Sequence, residues 1–219
     1  MRPFFVTATG TEVGKTYVTC GLIRALRRRN VPVTAFKPVI SGFDPRHAED
    51  SDTGQLLHAL GRTINAPNIE EMSPWRFQAA LSPDMAAERE DRPINIDALA
   101  ATCAAAARPD RITFIEGAGG LMSPLAQRFT NLDLAAAIDA HVLLVAGTYL
   151  GTISHTLTAC EALKLRGRDP WAIILSESPA SPVPPAETAR ALTRFTDAPI
   201  IVVMRNGEPP SELLSLLQR

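Results

Sequence analysis

The segment Thr7-Ala-Thr-Gly-Thr-Glu-Val-Gly-Lys-Thr16 has the residue types, in the order, that hold phosphate. Successive backbone N–H groups can curl around phosphate oxygens, and a helix beginning there adds the partial positive charge of its N-terminus. Gly14 lets the main chain come close, Lys15 reaches the outer phosphates, and Thr16 offers a hydroxyl to Mg²⁺. The usual G-x-x-x-x-G-K-[ST] pattern is not met, because Thr9 stands where the first glycine belongs. Gly10 is expected to supply the flexible turn one position later. A second segment, Ile115-Glu-Gly-Ala-Gly-Gly120, sets an acidic residue before a run of small ones. At a strand tip facing the phosphate loop, Glu116 would ligate a metal or its water. The glycines after it would let a phosphate or substrate approach the main chain.

Lysine use points the same way. Of 22 basic residues only Lys15, Lys37 and Lys164 are lysines. A chain that relies so heavily on arginine keeps lysine where a compact ammonium is needed.

These segments need strands and helices to position them. Short apolar runs at Phe4–Thr7, Val33–Phe36, Ile112–Ile115, Val142–Val145, Trp171–Leu175 and Ile200–Val203 read as strands. They are apolar on both faces, as in a parallel sheet covered by helices on each side. Val18, Leu22 and Leu26 recur at helical spacing, and Arg27-Arg-Arg29 closes that helix where positive charge suits its dipole. Asn131 before Leu132–Ile138, and Thr152 to Leu165, mark further helices. Strand–helix alternation predicts a single α/β domain over residues 1–219, a doubly wound, mainly parallel sheet with helices on both faces, which the phosphate loop after its first strand makes P-loop NTPase-like. Its ligands belong at the carboxyl ends of the strands. Ser178–Pro185 is a loop by composition, and no internal repeat is present.

Composition narrows the function classes. The chain has 219 residues, 46% of them hydrophobic, and a net charge of −1. That balance excludes a disordered tail and does not suggest a nucleic-acid binder. No run of about 18 apolar residues predicts a membrane span. The start, Met1-Arg-Pro-Phe-Phe-Val-Thr, lacks the apolar stretch of a secretory signal, and a cytoplasmic chain is expected. Cys20, Cys103 and Cys160 are far apart, without metal spacing, and read as reduced core thiols.

Four motifs together resemble the dethiobiotin synthetase family: Thr11-Glu-Val-Gly-Lys-Thr16, Phe36-Lys-Pro-Val-Ile-Ser-Gly42, Glu116-Gly-Ala-Gly-Gly120, and Leu150-Gly151 before a helix. Lys37-Pro38 with Ser41-Gly42 is the most specific piece. Ser73–Phe77 and Leu81–Pro83 are also similar, so the resemblance runs along nearly the whole chain. It implies a cytoplasmic, homodimeric enzyme that converts 7,8-diaminononanoate, CO₂ (or bicarbonate) and ATP to dethiobiotin, ADP and phosphate with Mg²⁺. It further implies that Lys37 and Lys15 act in catalysis. Nucleotide contacts would come from Glu12, Val13, Gly14, Lys15, Thr16, Tyr17, Asp52, Glu116, Gly117, Ala118, Gly119 and Ser176. Thr16, Asp52 and Glu116 would serve the metal, with Asp52 preferred over its neighbour Asp50. Thr11 and Ser41 would meet the diamine, and Leu150 and Gly151 the far carboxylate.

The sequence also departs from that family. Where an Asn-Asp pair usually reads the base, this chain has Ser176-Glu177, and Val203–Gly207 lacks the family's Ile-Pro turn. A serine hydroxyl cannot present the paired donor and acceptor of an amide to an adenine edge. GTP or CTP is therefore expected to compete with ATP. Two other readings fit less well. A cobyrinate-type amide synthase would lack the Lys37–Ser41 arrangement. A partition-type ATPase carries a second lysine five residues before Lys15, where this chain has Gly10.

Overall fold

A computed structural model describes residues 2–218; Met1, where the reading of the N-terminus begins, and Arg219 lie outside the described residues. Along the chain come β1 (Phe4–Ala8), α1 (Lys15–Arg28), β2 (Val33–Phe36), β3 (Val39–Ile40), a 3₁₀ segment (Pro45–Asp50), α2 (Asp52–Ala59), α3 (Ala66–Met72) and β4 (Trp75–Arg76). Then follow α4 (Pro83–Arg89), α5 (Ile96–Ala106), β5 (Ile112–Glu116), β6 (Pro124–Ala126), β7 (Phe129–Thr130) and α6 (Asn131–Ala137). The last elements are β8 (His141–Ala146), α7 (Thr152–Lys164), β9 (Ala172–Ser176), α8 (Pro185–Leu192), β10 (Ile200–Val203) and α9 (Ser211–Leu216).

The six strands expected from apolar runs form one sheet in the order β10-β9-β8-β1-β5-β2, and every pairing in it is parallel. Alternation along β1 divides the core. Phe4, Val6 and Ala8 join the layer made with α1, α2 and α9, while Phe5 joins the layer made with α5, α6, α7 and α8. Strand side chains point to opposite faces in turn, so a strand buried on both faces is mainly apolar, with Thr7 the one polar side chain in β1. β1 sits where the strand order reverses, with β8 on one side and β5 on the other. Loops leaving the carboxyl ends there diverge and open a crevice. Pairing of Val6 with Glu116 and of Phe36 with Ile115 fixes the register. That register brings the ends of β1, β5 and β2, and the loops after them, to one edge.

The structure adjusts several boundaries. The strand expected from Trp171 begins at Ala172 and runs to Ser176, because Trp171 turns its indole onto His141, 4.0 Å between ring centroids. The helix expected to Leu165 ends at Lys164. Asn131 does begin α6, but the cap is Thr130, which forms a reciprocal capping box with Asp133. The three cysteines are buried in α1, α5 and α7, and burial pushes the Cys20 and Cys103 thiols up to about 12, where they are unreactive.

Candidate functional site at the strand ends

Residues 9–14 leave β1 and enter α1 through two left-handed positions, Glu12 (φ 60°) and Gly14 (φ 97°). Gly10 does not have a positive φ, which corrects the expectation that it makes the turn. A tight neighbour faces Gly10 instead: a Cβ on Gly120 would meet the Gly10 backbone at 3.3 Å. Gly14 is the N-cap of α1 and offers no side-chain cap, so the first N–H groups of α1 stay available to an anion. A Cβ at Gly14 would lie 2.5 Å from Ser176 Oγ, so conformation and space both require glycine there.

Lys37 follows β2 directly, and its N–H donates to Met72 O at 3.0 Å. Its side chain is 2% exposed and its ammonium has three acceptors: Asp52 Oδ2 at 2.8 Å, Glu116 Oε1 at 2.9 Å and Gly117 O at 3.1 Å. The Thr16 hydroxyl donates to the same Glu116 Oε1 at 2.8 Å. Burial alone would push Lys37 down, but the Glu116 and Asp52 carboxylates outweigh it and hold the ammonium above the ordinary lysine value. Burial likewise works to raise Asp52, and the Lys37 ammonium overcomes it to hold that carboxyl below the ordinary range. Lys15 is pushed down to about 8 by burial and by the Lys37 charge, against the pull of Glu116 and Asp52.

These groups border a cavity of about 340 Å³. Thr11, Glu12, Gly14, Lys15, Thr16 and Tyr17 line one side; Lys37, Ser41 and Asp52 a second; Ala118 and Gly119 a third. Asp52 arrives because Ser51 caps α2, accepting the Gly54 N–H at 3.1 Å, which sets Asp52 as its first residue. Asp50 is exposed in the preceding 3₁₀ segment. Glu116 and Gly117 stand behind the cavity wall, joined to it through Lys37 and Thr16. Val13 packs on the α1 layer, and Ser176 is buried behind Gly14. Leu150 and Gly151 are not brought to this cavity: Leu150 is 87% exposed and Gly151 caps α7.

Glu116 Oε2 is buried without a hydrogen-bond partner. Together with Thr16 and Asp52 it makes a set of hard oxygen donors of the kind that would hold Mg²⁺. Among the described residues no group of three or more His, Cys, Asp or Glu side chains could hold a metal by itself.

Two arrangements went unnoticed in the sequence. The Tyr17 phenol donates to Gly207 O at 2.9 Å, and the Glu177 carboxylate accepts the Arg205 N–H at 2.8 Å, so both hold the 204–207 turn beside Ser176. Asn131 is fully buried and donates to Ala118 O at 2.7 Å and Gly120 O at 2.8 Å.

A parallel sheet with a Gly-Lys-Thr loop running from its central strand into a helix defines a P-loop nucleotide-binding protein. Solved structures agree on the fold. The MinD septum site-determining protein of Pyrococcus horikoshii matches with TM-score 0.54 at 18% identity, covering 99% of this chain and 85% of that one. A ParA family ATPase of Chlorobium tepidum matches with TM-score 0.54 at 13% identity, covering 99% and 88%. At such identities the likeness is one of fold alone. A family described as an AAA domain matches residues 2–208. The ATP-dependent dethiobiotin synthetase BioD of Methylobacterium nodulans is 44% identical over 99% of both chains. That of Caulobacter sp. strain K31 is 46% identical over 95% of this chain and 90% of the relative. The chain belongs to the ATP-dependent dethiobiotin synthetase family.

Proposed function

We propose that the chain closes the ureido ring of dethiobiotin from 7,8-diaminononanoate, CO₂ and ATP, a ligase step of biotin biosynthesis, and that it works as a Mg²⁺-dependent, cytoplasmic homodimer of one-domain subunits. The observation that carries this reading is that Lys37, Asp52 and Thr16 come from separate elements to the cavity that Lys15 also lines, with Lys37 and Thr16 both bonded to Glu116 behind its wall.

One substrate amine takes up CO₂ to give a carbamate. The γ-phosphoryl group passes from ATP to a carbamate oxygen, releasing ADP, and the second amine then attacks the mixed anhydride, expelling phosphate. Each stage gathers negative charge, so the protein's task is placement and charge stabilisation. The α1 N-terminus and Lys15 hold the phosphates from one side. Lys37 would set its ammonium between carbamate and γ-phosphate from the other, exchanging one of its three protein acceptors for them. Thr11 and Ser41 hydrogen-bond the diamine end. Thr16, Asp52 and Glu116 would hold Mg²⁺, which supplies charge neutralisation across the outer phosphates.

Leu150 and Ile153 are exposed apolar side chains at the start of α7 and exposed Met122 lines a surface cavity with His155 and Thr158 further along it, which supports a subunit contact on that face. The contact would bring Leu150 and Gly151 to the far carboxylate of a diamine in the neighbouring cavity. The test is ATP consumption with 7,8-diaminononanoate and bicarbonate, together with mass detection of dethiobiotin. ADP release that requires the diamine supports the reading; release at the same rate without it overturns it.

A further inference from the structure

The turn from Gly117 to Gly120 has no large side chain with which to fix itself, yet it forms a wall of the cavity. Its outer end is tied by Leu121 N–H to Ala8 O at 2.8 Å and by Gly120 N–H to Ser123 Oγ at 2.7 Å. Its inner side is tied at Gly117 by the Gly117 N–H to Val6 O at 3.0 Å and by Lys37 to Gly117 O, and beyond Gly117 by one side chain, Asn131. Both protons of that amide are used, on Ala118 O and Gly120 O, and the amide lies against Gly117 so closely that a Cβ there would be 2.7 Å from Asn131 Oδ1. Since Thr130 and Asp133 already cap α6, Asn131 is not needed for that purpose.

A peptide unit is planar and trans, so its N–H points opposite to its C=O. Holding Ala118 O toward Asn131 therefore turns the Gly119 N–H away from it, on the side where Ala118 and Gly119 line the cavity. Among the described residues neither the Ala118 nor the Gly119 N–H has an acceptor. The same turn carries Gly117 O, which takes the third proton of the Lys37 ammonium.

We propose that Asn131 is a positioning residue for phosphoryl transfer: it orients the Ala118–Gly119 peptide so that its N–H faces the travelling phosphoryl group, and it keeps Gly117 O in place under Lys37. The inference rests on the ring-closing reading given above. It concerns the transition state more than nucleotide binding, since α1 and Lys15 hold the phosphates independently.

Asn131→Ala and Asn131→Asp are to be compared with the unaltered protein in the diamine-dependent assay, with ADP affinity measured by calorimetry. Preformed donors of this kind are worth about 100-fold or more when deleted, and loss of their orientation is expected to lower kcat at least about 10-fold. ADP affinity should stay within about threefold, a split that general loosening of the fold would not produce. A folded variant with kcat within about threefold of the unaltered protein, or with ADP affinity and kcat falling together, overturns the proposal. A second measurement needs no variant. In the unaltered protein, hydrogen exchange of the Gly119 amide should slow when ADP and aluminium fluoride bind, and unchanged exchange also overturns it. Absence of diamine-dependent turnover in the unaltered protein would instead remove the ring-closing reading itself.

Discussion

Lys37 Nζ lies 2.9 Å from Glu116 Oε1, the oxygen that also accepts the Thr16 hydroxyl proton at 2.8 Å. One buried carboxylate oxygen thus joins the end of β2 to the start of α1, two elements that the chain places 21 residues apart at these positions. The ammonium stays charged in a nearly waterless setting because two carboxylates and a carbonyl surround it.

Lys37→Ala should therefore act twice. Turnover is expected to fall at least about 100-fold, the effect of losing one charge contact to the transition state, with ADP affinity within about threefold. Thermal stability should also drop, since breaking a buried pair by removing one partner costs about 3–5 kcal/mol. Turnover within tenfold of the unaltered protein, assayed below the lowered Tm, would take Lys37 out of the chemistry.

Asp52 reaches the cavity and Asp50 faces solvent. Asp52→Asn is expected to raise the Mg²⁺ concentration for half-maximal activity at least about tenfold, the size of a lost charged oxygen contact, while Asp50→Asn leaves it unchanged. Titrating activity against Mg²⁺ checks both, and the opposite ranking would assign the metal to Asp50.

The 204–207 turn, where a base is expected, is held by the Tyr17 and Glu177 bonds, and Ser176 Oγ leaves no room for a Cβ at Gly14. Ser176-Glu177 puts no side-chain amide at the end of β9, and the amide of the turn, Asn206, sits at a left-handed position (φ 61°). We expect kcat/KM for ATP, GTP and CTP to fall within about 100-fold of one another, a spread of about 2.7 kcal/mol. A stronger preference for ATP would show that the main chain of the turn reads the base.

His141 stands at the opposite end of the sheet, between the rings of Phe4 and Trp171. Burial and the charges of Arg2 and Arg168 hold its pKa below the ordinary 6.5, against the pull of Asp139. The unfolded chain therefore binds the proton more readily, and stability is lost as pH falls from 6.5 through the folded value. Urea midpoints measured from pH 7.5 to 5 should decline, and His141→Phe should flatten part of that decline. An unchanged slope would remove His141 as its source.

All six strands of the main sheet were legible because a strand covered on both faces writes itself as a largely apolar run, unbroken in Ile200–Val203 and interrupted only by threonine in Phe4–Ala8. The paired strands β3 and β4 have two residues each, too few for any period to show, and their pairing joins residues far apart in the chain. The phosphate loop was legible from Gly14, Lys15 and Thr16, but its turn was not, since Glu12 adopts a left-handed conformation that a glycine would have advertised. Lys37, Asp52 and Glu116 were recognisable one by one; their sharing of one ammonium follows from register and could not be read locally. Asn131 looked like a helix start because asparagine commonly begins helices. Its role appears only once Thr130 is seen to do that work.

The central place of β1 sets the order in which the nascent chain can assemble. Its two neighbours, β5 and β8, are translated long after it, and β8 starts only at His141. At the usual pace of a ribosome, about 5–20 residues per second, Phe4-Phe-Val-Thr-Ala8 waits roughly ten seconds for its second partner. Until β5 has emerged both edges of β1 lie bare, and from then until β8 one still does, an open template for pairing with another chain.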